Sequence, residues 1–327
     1  MVRRPRRWGL TVPFAGVPLS AHPDLFRQAE RAGYDDLWSG ETANGADGFT
    51  PLALAATATR RMRLATGIVN PFTRGPGVLA QTAAALQEAS RGRFVLGLGA
   101  SSDIVVERFN GGDFHHPLSH VREAVERLRP VLTSPEGRGY GGLRLERPVR
   151  APVPIVLAAL RGRMLALAAE VADGALTNFL PLSGLPRVVD AMREGERAAG
   201  RPEGATELAG RFFLLPGPPD QGMAFARQMF AAYASVRVYA DFFRWLGWGE
   251  RLEPLLEAAV RGDRVRAAEL APEEIVREIF VFGRPGEQRA RLLEFAEGGI
   301  DTLVLTFIAP ADAIEDLIDD LGPRAWR

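Results

Sequence analysis

LATGIVNPFTRGP, residues Leu64–Pro76, reads as an apolar strand that stops abruptly and a helix that starts almost at once. Gly67 lies inside the apolar run, and Asn70, Pro71, Thr73, Arg74, Gly75 and Pro76 crowd the turn that follows. Glycine weakens a strand unless another backbone or a ligand has to come close there. The stretch therefore marks a strand end at which something packs against Gly67.

Outward from it, short apolar runs recur at Trp8–Val12, Asp36–Ser39, Leu64–Val69, Phe94–Leu98, Ile155–Ala158, Ala175–Phe179, Phe212–Leu215 and Thr302–Phe307. RFVLGLG and TLVLTF are uniformly apolar, the pattern of parallel strands covered on both faces. Helical stretches separate them: PDLFRQAERAG opens at Pro23 and Asp24 and closes at Gly33, GPGVLAQTAAALQEAS runs to Ser90, and MLALAAEVADG ends at Gly174. Eight such units predict an α/β fold, a closed (β/α)8 TIM barrel, with an open doubly wound sheet as the alternative.

The gap from about 216 to 300 is too long for one crossover. No Pro/Gly/Ser linker isolates it, so it reads as a helical insertion in a single domain spanning 1–327. Its aromatic segment, ending in FFRWLGWG, fits core packing, a subunit interface that would make a homodimer, or a pocket wall.

Forty basic residues balance forty acidic ones, so no overall field favours nucleic acid or an anionic membrane. With no cysteine, thiolate metal sites and a cysteine nucleophile are excluded, and because every basic residue is arginine, so is a Schiff-base lysine. MVRRPRRWGL carries four arginines but no apolar run of a secretion signal, and no later segment approaches a membrane span. The expectation is a cytoplasmic protein acting on a small molecule.

In a closed barrel the active site lies at the carboxyl ends of the strands. Those ends offer SGET, TGIVNPFTR, GASSD, AALRGRM and TNF, with only Glu41, Asp103 and the arginines to carry charge. That poverty argues against paired carboxylates or a Ser-His-Asp triad and suits chemistry carried by a cofactor. Gly67, Gly99, Ala100 and Ala159 leave room for a flat ring, while Arg161 and Arg163 fit either a phosphate beside a helix start or plain surface. In HHPLSH, His116 and His120 have metal-ligand spacing only on a continuous helix; Pro117 and Ser119 place the helix start near His120, so no metal site is expected.

GIVNPFTRGPGVLAQTAAALQEASRGRFVLGLGASS, with AALRGRMLALAAEVADGALTNF downstream, resembles the luciferase-like superfamily, and within it the reductases that use the deazaflavin coenzyme F420. The resemblance covers nearly the whole chain and is most specific from Thr66 to Ser102. It implies a non-proline cis peptide at Gly67–Ile68, beside Thr66, bulging against the rear face of a tricyclic ring. It also implies that Glu41 is the acid near the ring; relatives often follow that acid with histidine, where this chain has Thr42, which leaves the general acid unassigned.

Further along, the resemblance assigns Gly99, Ala100, Ser101 and Ser102 to the ribityl and phosphate loop, and Ala159, Leu160, Arg161, Gly162 and Arg163 to the phosphate turn. Asn178 joins the cofactor contacts, and Phe14, Trp38, Asn70 and Arg74 the substrate pocket. The implied activity is hydride exchange between the deazaflavin C5 and a small organic substrate, by reduction of an activated C=C or C=N bond or oxidation of an alcohol. An FMN-dependent monooxygenase of the same superfamily and a non-catalytic flavin-binding barrel are the alternatives.

Overall fold

The computed structural model describes residues 7–41 and 45–326. Thr42 and the arginines ahead of Arg7 lie outside the described residues. The strands are β1 (Arg7–Val12), β2 (Asp36–Ser39), β3 (Arg63–Thr66), β4 (Phe94–Leu98), β5 (Ile155–Ala158), β6 (Gly174–Asn178), β7 (Glu207–Pro216), β8 (Phe280–Gly283) and β9 (Thr302–Phe307). The helices are α1 (His22–Ala32), α2 (Thr50–Ala58), α3 (Pro76–Ala89), α4 (Pro117–Thr133), α5 (Gly162–Val171), α6 (Leu185–Ala198), α7 (Pro219–Ala234), α8 (Arg237–Trp245), α9 (Gly249–Val260), α10 (Arg264–Glu269), α11 (Glu273–Ile279), α12 (Pro285–Gly298) and α13 (Ile314–Asp320).

All strand pairings in the sheet are parallel, and the order β6-β5-β4-β3-β2-β1-β9-β7 closes through β6–β7 into an eight-stranded barrel. Inside it, Trp38, Ala65, Val95, Val156, Leu176, Ala209 and Val304 form one apolar layer, with Ile68 packed against it. A second, larger apolar cluster fills the space between strands and helices. This is the two-core arrangement that parallel strands buried on both faces require.

The helix boundaries follow their punctuation. Gly33 ends α1 in the left-handed region at φ 98°, and prolines occupy the first turns of α1, α2, α3 and α4. Two expected boundaries shift. Helix α5 ends at Val171, and Gly174 opens β6 instead. Helix α4 begins at Pro117, not near His120, because proline is well placed in a first helical turn.

The insertion holds a strand that the sequence reading treated as helix. Strand β7 is ten residues long: Glu207–Arg211 faces Gly174–Asn178 of β6, and Phe213–Pro216 faces Phe280–Gly283 of β8. Strand β8 thus continues the edge where β6 stops and roots the insertion in the barrel wall. Within the insertion, Phe230, Phe242 and Phe243 are fully buried and stack in pairs. Phe242 and Phe243 of the aromatic segment are spent on packing inside the chain, while Trp245 and Leu246 are half-buried.

Candidate active site at the carboxyl end of the barrel

Strand β3 leaves the sheet after Thr66, and the Gly67–Ile68 peptide is cis. The chain rejoins through Val69, which bridges Leu98. The Thr66 hydroxyl sits on β4, donating to the Gly97 carbonyl at 2.8 Å and accepting from the Gly97 N–H at 2.7 Å. It is fully buried with its proton committed to that bond, so the hydroxyl serves the β3–β4 seam and cannot donate to a cofactor.

Glycines make this detour fit. A Cβ on Gly97 would lie 1.8 Å from the Thr66 carbonyl oxygen, and one on Gly40 would lie 2.4 Å from the Gly67 carbonyl oxygen. One on Gly99 would lie 2.7 Å from Cγ1 of Ile68 and 2.9 Å from Cβ of Ala158. Gly99 is therefore small because the Ile68 side chain fills its space, not because a ring does. Gly67 itself rests on Trp38 and Leu176. Gly67 and Ile68 are half-buried, while Thr66 before them and Val69 after them are buried, so the bulge is the part of β3 that faces the barrel mouth.

Several residues expected in the pocket belong to the core. Trp38 is 2% exposed in the inner layer beneath Gly67. Phe14 is buried between His22 and Phe307, with ring centroids 5.7 Å and 6.1 Å away. Asn70 is buried and its Oδ1 accepts the Phe72 N–H at 2.8 Å, shaping the turn, although its Nδ2 has no partner. Ala159 is buried too, its N–H donating to the Leu176 carbonyl.

The other predicted residues gather at the mouth. Glu41, Ala100, Ser101, Ser102, Leu160, Arg161, Gly162 and Asn178 are half-buried at successive strand ends. Arg74 donates to Oε1 of Glu41 from Nε at 2.9 Å and lies over the Phe49 ring. Arg74 thus fixes Glu41 at the mouth and is not a free pocket cation.

At α5, Gly162 has φ 37° and open space where a Cβ would stand, and no side chain caps the helix start. The first N–H groups of a helix have no intrahelical partner and carry the positive end of the helix dipole, so this start suits an anion. Arg161 is held away from it: its guanidinium donates to the Val238 carbonyl and to Asp241 Oδ2, both at 3.0 Å. Arg163 is exposed. The turn offers backbone, and its arginines serve the insertion and the surface.

Sequence reading missed two residues here. Arg211 stands in register with Asn178 and points inward, two residues beyond Ala209 of the inner layer. Tyr239 of α8 reaches over the mouth, its hydroxyl accepting from Asn178 Nδ2 at 2.9 Å. Burial pushes that phenol up to about 12. Arg211 fell just ahead of the strand read at Phe212–Leu215, though a charge inside ELAGRFFLLP was the available signal. Tyr239 carried none, being one aromatic among many in the insertion.

The histidines stay apart from the mouth. His120 stacks on Phe72 at 3.9 Å, and His116 sits ahead of α4 with φ 45°. No group of three or more His, Asp or Glu that could hold a metal occurs among the described residues. A groove of about 240 Å³ between the β3–α3 turn and α4 is lined by Pro71, Phe72, Arg74, His120, Glu123 and Arg127. None of the helices among the described residues is long and apolar enough to cross a membrane.

Comparison with known proteins fits this geometry. The luciferase-like monooxygenase family model matches residues 7–302, and the chain belongs to that family. It is 30% identical, over 94% of its length and 97% of the other's, to a Mycobacterium tuberculosis protein provisionally named a coenzyme F420-dependent oxidoreductase. Among solved structures it resembles the coenzyme F420-dependent tetrahydromethanopterin reductase of Methanopyrus kandleri, with TM-score 0.78, 22% identity and coverage of 98% and 99% of the two chains. It also resembles an F420-dependent secondary alcohol dehydrogenase solved with an F420-acetone adduct, with TM-score 0.76, 19% identity and 99% coverage of both chains.

Proposed function

We propose that this chain is a coenzyme F420-dependent oxidoreductase that exchanges a hydride with a small organic substrate at the barrel mouth. The observation that carries the reading is the half-buried Gly67–Ile68 bulge, set between buried neighbours at one strand end, together with the uncapped helix start at Gly162 after another. A flat ring with a phosphate tail fits that pair of features: an apolar shelf for one face, and backbone N–H groups for the anion.

Bound deazaflavin would supply a carbon that gives and takes hydride. The residues of the chain position it. Ile68 backs the ring, Ser101 and Ser102 lie beside its side chain, and Leu160, Arg161 and Gly162 offer the turn for phosphate. Glu41, held by Arg74, contacts the ring's polar edge or handles the proton that accompanies hydride transfer. The buried layer of Trp38 and Leu176 below keeps water from the rear face.

Fluorescence titration of the purified protein with F420 and, separately, FMN tests the reading. Tight F420 binding with weak FMN binding is expected. Preferential FMN binding would make the protein a monooxygenase component, and binding of neither would remove the cofactor reading.

A further inference from the structure

The polar atoms of the mouth are unevenly matched. Arg211 forms no ion pair or side-chain hydrogen bond among the described residues, and its Nε is buried without a partner. Its guanidinium lies over the Phe213 ring, 4.9 Å from the centroid. Beside it, Oδ1 of Asn178 is also buried and unpartnered. The Tyr239 hydroxyl, accepting from Asn178, keeps its own proton free to donate. Three polar groups from β6, β7 and α8 therefore converge with unused bonding capacity, although buried polar atoms are almost always satisfied.

A half-buried guanidinium without a counter-charge is costly unless a ligand supplies one. On the opposite wall, the half-buried side chains of Ile68 and Ala158, packed over Gly99, are apolar. A ring resting on that wall leaves its other face toward Arg211.

We propose that Arg211, with Tyr239 and Asn178, is the subsite that recognises a carboxylate on the substrate. This rests on the F420 reading above and adds to it the substrate's class: a small, flat organic acid. Arg211 supplies the positive charge, its guanidinium lying over the Phe213 ring. Tyr239 donates a second hydrogen bond as a neutral phenol. Asn178 fixes Tyr239 by the hydrogen bond already present. Strand β7 holds Arg211 rigidly, and α8, tied down through Arg161 to Val238 and Asp241, holds Tyr239 over it.

The test uses the F420-loaded protein and two isosteric probes, benzoate and benzamide, read by perturbation of the deazaflavin absorbance. Benzoate is expected to bind at least tenfold tighter than benzamide. Arg211→Met should erase that preference, Arg211→Lys should restore part of it, and Tyr239→Phe should weaken benzoate severalfold, all with F420 affinity within about twofold of wild type. Benzoate binding no tighter than benzamide, or a preference that survives Arg211→Met, would overturn the subsite while leaving the cofactor reading intact. Failure of F420 to bind the unmodified protein would overturn the cofactor reading instead, and the subsite with it. Retained F420 affinity in each variant also shows that the variant has folded.

Discussion

The two ends of the barrel are built from similar residues to opposite effect. At the amino-terminal floor, Asp36 is fully buried and accepts from both Arg7 and Arg63, with Arg63 Nη2 at 2.8 Å. Arg63 also donates to both oxygens of Glu207 at 2.7 Å, and Thr302 donates to the same carboxylate. Each of these charges has a partner. At the mouth, Arg211 and Asn178 keep buried atoms unpaired. A complete network stabilises, and the incomplete one is where we place the substrate subsite.

The largest effect is expected from breaking the floor. Asp36→Ala leaves two arginines facing each other without their shared counter-ion, a loss of about 3–5 kcal/mol. At roughly 1.5 °C per kcal/mol for a chain of this length, the thermal midpoint should fall by about 4–7 °C, with F420 affinity at 20 °C little changed. An unchanged midpoint in calorimetry would show that the floor does not carry stability.

Acid should weaken the same network next. Burial alone would raise the Glu207 carboxyl, but the hydrogen bonds and charge of Arg63, helped by Thr302, hold it at about 2 against an ordinary 4.5. A depressed carboxylate stabilises above its unfolded value, so stability should hold to about pH 4.5 and decline as pH falls toward 2. The term is on the order of 2–3 kcal/mol. Denaturant midpoints measured from pH 6 to pH 3 check it, and Glu207→Gln should flatten the profile.

Gly162→Asp sharpens the contrast at the mouth. A carboxylate at a helix start repels a phosphate, and the φ of 37° at Gly162 strains any side chain, so stability should fall by about 1–2 kcal/mol while F420 affinity drops at least tenfold. A deazaflavin lacking the phosphate tail should bind both proteins alike. The smallest effect is expected from Arg163→Gln, which alters an exposed side chain and should change F420 affinity by less than twofold in the same titration.

The sequence made the barrel legible because its strands are short apolar runs punctuated by Gly and Pro; Gly67 marked a close approach in one of them, and the resemblance to the luciferase-like superfamily supplied the bulge. Strand β8 escaped because FVFG is four residues long and follows directly on a helical pattern. Phe14 and Trp38 were misplaced because position near a strand end does not tell which way a side chain points, and a shift of one residue moves it to the other face. Gly99 shows the same limit: the sequence marks close approach without naming what approaches. Arg211 and Tyr239 come near enough to feel each other's charge only in the folded chain, with residues Pro219–Ala234 of α7 between them in sequence.

Hydrogen–deuterium exchange with and without F420 tests most directly whether the two ends divide the work. Protection should appear at Gly67–Ile68, Ala100–Ser102 and Leu160–Arg163, and the floor strands around Asp36, Arg63 and Glu207 should exchange equally slowly in both states. Protection centred instead on the groove between α3 and α4, or none at the strand ends, would contradict the assignment of the mouth as the active site.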